Sequence, residues 1–263
     1  MTETGIHPTA VIEDGARIGQ GCRIGAFCTV GAQVVLGDRV DLKSHVVVTG
    51  DTEIGEDSQI YQFAVIGEIP QDLKFRGEDT RLVIGRRNRI REHVTVNCGT
   101  EGGGGVTRIG DDCLLMAGVH VAHDVQIGNR VILVNNVGIA GHAVIGDEVI
   151  VGGISGVHQW VRVGRGAIIG GLTKVTNDVI PYGQVDGGHG TLQGLNLIGL
   201  RRRGLPREEI AALRAAYRDL AEGPGTFQER ARLLRDSATS DHVREIVDFI
   251  LAASDRSFLT PRV

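Results

Sequence analysis

Four of the nine histidines in this 263-residue chain fall between positions 120 and 158. His120 and His123 stand three residues apart in His120-Val121-Ala122-His123-Asp124, with a carboxylate directly after the second; His142 and His158 follow. Two chemistries use such a set. An imidazole with a reference pKa of about 6.5 can act as a general base and take a hydroxyl proton. Three imidazoles can instead ligate zinc. Which one applies depends on how the surrounding chain places these side chains.

That chain is a repeat. An aliphatic residue recurs every six positions through Ile6, Ile12, Ile18, Ile24, Val30 and Leu36 to Ile66, and resumes at Ile84, Ile90 and Val96. One residue out of phase it restarts at Ile109 and runs through Leu115, Val121, Ile127, Leu133, Ile139, Ile145, Val151 and Val157 to Val175. Glycine often follows the aliphatic, and a small or β-branched residue stands four positions after it, as at Cys22, Cys28, Val46, Val125 and Ala143. Neither a helical period of 3.6 nor plain alternation fits. A hexapeptide repeat does, and it predicts a parallel β-helix. Each hexad gives one short strand and one corner, and three hexads close a triangular coil. The aliphatic and small positions point inward, and roughly ten coils stack at strand spacing before Pro181.

Two insertions interrupt the repeat, near residues 68–82 and 98–107. The second contains Gly102-Gly103-Gly104-Gly105. This run lacks the Lys-Ser/Thr ending of a phosphate-binding loop and joins no strand to a helix, so it reads as a flexible excursion over a neighbouring face. Beyond Pro181 the period changes. Residues 205–222, with Pro206 in the first turn, predict a helix. Others are predicted from Phe227 to about Arg235 and after Ser240-Asp241. The expected organisation is a β-helix over residues 1–190 and a helical domain over 191–263.

Composition narrows the function. Charged residues make up 23% and aromatics 4%, with 39 glycines, which fits tight repeated corners. A net charge of −4 and a pI near 6.1 argue against nucleic-acid binding. No apolar run predicts a transmembrane segment, and Met1-Thr2-Glu3-Thr4-Gly5 has no signal-peptide character, so a cytoplasmic location is expected. The four cysteines show no metal-like spacing and read as small apolar filler.

The hexad register places the histidines. His123 is third in the hexad of Val121, His142 fourth in that of Ile139, and His158 second in that of Val157. Those hexads start 18 residues apart, so the three lie on one side of successive coils, facing outward, with His120 just before the corner. A flat β-helix face holds no pocket, so a cleft is expected only where another surface, such as a second copy of the chain, covers it.

At these residues the chain resembles a known family. His120-Val-Ala-His-Asp124, Ala140-Gly141-His142, Val157-His158-Gln159, Gln71-Asp72-Leu73-Lys74, Arg87-Asn-Arg-Ile-Arg-Glu92 and Gly199-Leu-Arg-Arg-Arg-Gly204 are similar to motifs of the UDP-N-acetylglucosamine acyltransferases of lipid A biosynthesis. The resemblance covers nearly the whole chain and implies a left-handed parallel β-helix with a C-terminal α-helical cap, assembled as a homotrimer. It implies transfer of an (R)-3-hydroxyacyl chain from acyl carrier protein to the 3-hydroxyl of UDP-N-acetylglucosamine. No cofactor is implied beyond the phosphopantetheine of that carrier. It implies His123 as general base, Asp124 as its partner and the Gly141 N–H as oxyanion donor. His120, His142, His158 and Gln159 would position substrate, and Asp72 and Lys74 would reach the glucosamine. Asn196, Arg202 and Arg203 would hold uridine and phosphates, and Gly171 would limit acyl length. Arg162, Arg165, Lys174 and Arg201 to Arg203 would form a basic surface for the acidic carrier.

Two positions depart from the family pattern. Asn97 stands in Val96-Asn-Cys-Gly-Thr100 where histidine is usual, and Ile198 stands where glutamate is usual. Asn97 raises a second expectation, an acceptor with a 3-amino group and an amide product. A β-helical zinc carbonic anhydrase is the reading from a different enzyme class.

Overall fold

The computed structural model describes residues 4–254 and 256–261. From Gly5 to Val175 the chain is a succession of strands, most of them two residues long, each paired in parallel with the equivalent strand one coil further on. Gly5–Ile6 pairs with Arg23–Ile24, and His120–Val121 with Gly138–Ile139. The strands form three sheets of 11, 9 and 8 members, the faces of a triangular prism. The fold is a left-handed parallel β-helix followed by a helical cap.

The repeat dictates the interior. Val121, Ile139 and Val157 end successive strands of the second face and are buried, as are Val119, Val125, Val137 and Ala143 between them. Each fully buried aliphatic contributes roughly 1.5–3 kcal/mol. Repeated at every hexad, this holds strands that would be far too short to persist alone. The chain turns at the fourth position of many hexads by entering the left-handed region. Asp124, His142 and Trp160 do so with φ of 60°, 62° and 65°. For a residue with a Cβ this costs about 1–2 kcal/mol, so the corner has to be held by the packing on both sides.

The insertions are shorter than the sequence indicates. Arg81–Ile84 and Val106–Ile109 are four-residue strands that pair in full register with each other, and Arg81–Ile84 also pairs with Asp51–Ile54. Leu82 and Thr107, expected in the loops, point inward beside Ile84 and Ile109 and are fully buried. The four-glycine run is also more ordered than expected: Glu101–Gly103 forms a 3-10 turn closed by the Gly104 N–H on the Glu101 carbonyl. The four cysteines are free and buried, and burial pushes the Cys98 and Cys113 thiols up to about 11.

The first face extends past residue 190. Gly183–Asp186 joins it in parallel, and Thr191–Leu195 returns antiparallel. Four helices follow: α1 (Leu197–Arg202), α2 (Arg207–Glu222), α3 (Phe227–Ser237) and α4 (Asp241–Leu251). Pro206 is the N-cap of α2, Thr226 and Glu229 form a capping box on α3, and Ser240 caps α4. The tail then returns to the prism. The Asp178 N–H donates to the Ser257 carbonyl, and the Leu259 N–H to that of Asp178, each at 2.8 Å.

Candidate active site

The edge between the second and third faces carries the chemistry. Third hexad positions stack there as His123, Gly141 and Gln159, and fourth positions as Asp124, His142 and Trp160. His123 Nδ1 lies 2.7 Å from Asp124 Oδ2. A carboxylate only accepts, so Nδ1 carries the proton and Nε2 keeps its lone pair, the arrangement a general base needs. Thr100 fixes the carboxylate by donating its N–H to Oδ1 at 2.8 Å and its hydroxyl to Oδ2 at 2.6 Å. The Asp124 N–H donates to Thr107 Oγ1 at 2.8 Å. Gly103 presses on this carboxylate so closely that a Cβ there would fall 2.0 Å from Asp124 Cγ. Only glycine fits, which gives the glycine run a role that composition did not reveal.

His142 meets His123 edge to face at 4.9 Å and stacks on Trp160 at 3.9 Å, with Nδ1 3.6 Å from Asp124 Oδ2. Burial holds the His142 imidazole below its ordinary value, partly opposed by Asp124. His120 is lowered chiefly by burial and secondarily by His123, and its Nδ1 lies 2.7 Å from Thr95 Oγ1. Both rings are thus biased toward the neutral form.

The single chain already forms a groove here, because the first insertion supplies one covering surface. The first insertion folds over the edge and brings Asp72 Oδ2 to 4.0 Å from His123 Nε2. Gln71 becomes one wall of a groove of about 480 Å³ that runs past His123, Gly138, Gly141, Gly156 and His158 to Lys174. Gly138 and Gly156 are outward strand positions where a Cβ would meet nothing within 4 Å, so the groove floor exists because those side chains are absent. A recess of about 230 Å³ on the other side of the edge is lined by Asp72, Lys74, Thr100, Glu101, His142 and Trp160. The Lys74 N–H donates to Asp72 Oδ1 at 3.0 Å and holds that carboxyl below its ordinary value.

Other expected site residues lie elsewhere. Asn196 is buried; its Oδ1 accepts from the Gly199 N–H as the cap of α1, and its Nδ2 donates to the Gly166 carbonyl. These two bonds leave one Nδ2 hydrogen and one Oδ1 lone pair of the side chain unused. Arg203 is ion-paired to Glu148 at 2.8 Å on the edge between the third and first faces, away from His123. Arg202 is exposed on α1, one turn after exposed Ile198. Gly171 does not line the groove. It sits on the edge between the first and second faces, where a Cβ would approach the Gly153 carbonyl oxygen at 3.3 Å. The basic surface also shrinks, because Arg162 is paired with buried Asp178 at 2.7 Å and Arg165 with Glu148 at 3.4 Å. Lys174, Arg201 and Arg202 are exposed and form no ion pair among the described residues, and Arg165 is exposed despite its pairing. Asn97 is buried, and its Nδ2 donates to the Ile69 carbonyl at 2.9 Å, pinning the start of the first insertion.

His123, Asp124 and His142 offer nitrogen and oxygen atoms within 4.8 Å of one another. The donor set does not fit a metal well, because both Asp124 oxygens and His123 Nδ1 already bond to each other or to Thr100. The arrangement fits proton transfer at His123 Nε2. Beside it, Gly141 lies so close that a Cβ would meet His123 Cε1 at 2.6 Å. Its N–H has no partner among the described residues.

Comparison with known proteins bears directly on this arrangement. Residues 178–259 match the family model of UDP-N-acetylglucosamine O-acyltransferase, domain 2, and residues 15–50 and 107–141 match the bacterial transferase hexapeptide model. The chain is 56% identical over 257 residues to the acyl-[acyl-carrier-protein]--UDP-N-acetylglucosamine O-acyltransferase of Caulobacter vibrioides, covering 97% of this chain and 98% of that one. The chain belongs to the UDP-N-acetylglucosamine O-acyltransferase family. The Paracoccus denitrificans enzyme of the same name is 63% identical over 202 residues, 77% of each chain. The UDP-N-acetylglucosamine O-acyltransferase structure from Moraxella catarrhalis superposes with a TM-score of 0.93 at 43% identity, covering 97% of this chain and 99% of that one. The acyltransferase structure from Campylobacter jejuni gives 0.92 at 38%, covering 98% and 100%. As an acyltransferase of this family, the chain has contributors at His123 that its motifs did not reveal. Thr100 and Gly103 hold Asp124, Trp160 backs His142, and Gly138 and Gly156 open the groove.

Proposed function

We propose that this acyltransferase moves a 3-hydroxyacyl chain from acyl carrier protein to the 3-hydroxyl of UDP-N-acetylglucosamine, the first step of lipid A biosynthesis. The observation that carries the reading is the 2.7 Å bond from His123 Nδ1 to Asp124, which leaves Nε2 free in an open groove. His123 Nε2 removes the acceptor proton as the oxygen attacks the thioester carbonyl. The oxyanion accepts from the Gly141 N–H, a contact worth about 3–4 kcal/mol where such donors have been removed. Collapse expels the phosphopantetheine sulfur, which takes the proton back from His123. Asp72 and Lys74 lie where a sugar at Nε2 would extend, and His120, His142, His158 and Gln159 surround the reacting groups. The hydroxyl acceptor is preferred to the amine because the named relatives are O-acyltransferases.

The working assembly in this reading is a homotrimer in the cytoplasm. The edge between the first and second faces stacks Phe27, His45, Phe63 and His93 at 5.1 Å intervals and, after Gly118 and Asn136, presents exposed Ile154 and Leu172. Four exposed apolar side chains along one edge favour a partner surface. A neighbouring copy would bring Arg202 and Arg203 to the diphosphate, with α1 held by Asn196, and would direct the acyl chain toward Gly171. Lys174, Arg201 and Arg202 supply the charge that steers an acidic carrier. Among the described residues no helix is long and apolar enough to cross a membrane.

The test is mass spectrometry of the product from a panel of acyl-carrier thioesters with the 3-hydroxyl and 3-amino acceptors. The expected product is the ester. A strong preference for the amine would overturn the acceptor assignment, and wild-type activity in His123→Ala would overturn the mechanism.

A further inference from the structure

A side chain of the cap's tail reaches His158 beside the groove. Arg256, in the tail after α4, donates Nη2–H to His158 Nδ1 at 2.9 Å and Nε–H to the Gln159 carbonyl at 3.0 Å. The tail is fixed where this happens. The Arg256 N–H donates to Ser254 Oγ at 3.1 Å, and that hydroxyl donates to Asp178 Oδ2 at 2.6 Å. Asp178 is fully buried and is paired with Arg162, whose guanidinium lies 4.6 Å from the Phe249 ring centroid. The contact therefore belongs to a built network and not to a loose surface arginine.

We propose that Arg256 is a positioning residue that sets the tautomer of His158. A guanidinium has donors and no acceptor, so Nδ1 beside it must accept and the neutral ring must carry its proton on Nε2. That is the nitrogen left for the groove, which His158 lines. The competing state is close at hand, since His158 Nδ1 lies 3.3 Å from the Gln159 carbonyl oxygen. With Arg256 removed, that carbonyl is free to accept from an Nδ1–H, and Nε2 becomes an acceptor. Arg256 suppresses this state twice over, by occupying both Nδ1 and the carbonyl. His158 then offers substrate a fixed N–H donor, suited to a carbonyl or hydroxyl oxygen of the acyl donor or the sugar nucleotide. This role rests on the acyl-transfer reading only for what the donor meets; the tautomer itself does not depend on it.

The experiment is a long-range 1H–15N correlation spectrum of the full chain with 15N-labelled histidine, the His158 ring being assigned by its loss in His158→Asn. The wild type is expected to show the Nε2–H tautomer. Arg256→Met is expected to shift the ring toward Nδ1–H, and Arg256→Lys, which keeps a donor-only head, to restore Nε2–H. In assays Arg256→Met should lose about tenfold in kcat/KM, the equivalent of one hydrogen bond, with Arg256→Lys recovering part of it. A wild-type ring protonated on Nδ1 would overturn the proposal without any variant having to fold. So would an unchanged Nε2–H ring in Arg256→Met. The spectrum needs no substrate, so its result stands apart from that of the acyl-transfer assay.

Discussion

Gly141 lies one coil along from His123, so close that a Cβ on it would come within 2.6 Å of the imidazole Cε1 and 2.8 Å of Nε2. The ring therefore rests on bare backbone, and the same residue presents its N–H beside the base. Gly141→Ala should push the ring off the Asp124 carboxylate. A displacement near 1 Å in an active site costs about a hundredfold, so kcat should fall by at least that factor. The melting temperature should change little, because the residue lies on an outward edge. Steady-state kinetics and a thermal melt on the same preparation check this; near-normal kcat would mean the ring has room to move.

Thr100 bonds Asp124 twice, through its N–H and its hydroxyl. Thr100→Val keeps the shape and the N–H but loses the hydroxyl bond to Oδ2. Hydrogen bonds to charged groups are worth about 1.5–3 kcal/mol, so kcat should drop roughly ten- to a hundredfold with KM little changed. Thr100→Ser should retain most activity. A larger loss in Thr100→Ser than in Thr100→Val would show that the methyl group, not the hydroxyl, is what matters.

These two cases mark how far the sequence could be read. The interior was legible because a hexad is a local pattern: Val121, Ile139 and Val157 declare themselves by spacing alone. His123, Asp124 and Gly141 followed from motif and register together. Thr100 and Gly103 did not, because their contact with Asp124 depends on how an insertion folds back over an edge, and no period governs that path. Arg256 meets His158 across 98 residues and left no local signal. The cap that Asn196 gives α1 is legible in its spacing to Gly199. Helix α1, at six residues, was too short to show a period.

His142 predicts a pH dependence of stability. Burial lowers its folded-state value below the unfolded reference of about 6.5, so the unfolded chain binds the proton more readily. Stability is therefore full above about pH 6.5 and declines as the pH falls through the unfolded value, levelling off below the folded one. His120 acts in the same direction. Melting temperatures measured from pH 7.5 down to 5 should fall for the wild type and fall less for His142→Asn. Identical slopes would remove His142 from this account.

Gly156 is an outward residue on a strand of the second face, between Gly138 of the previous coil and Lys174 of the next. A side chain there meets no atom within 4 Å of its Cβ and would stand in the groove. Gly156→Leu should therefore fill the groove beside His158 while the prism stays intact. Replacing glycine at a compatible strand position restricts the unfolded chain and contributes about 0.4–1 kcal/mol of stability. The expected result is a protein that melts at or slightly above the wild-type temperature yet has lost most acyl transfer, with the loss greatest for long acyl chains. A variant with full activity on every chain length would place the acyl group outside this groove. A variant with a lowered melting temperature would mean that the floor at Gly156 is packed in the working assembly.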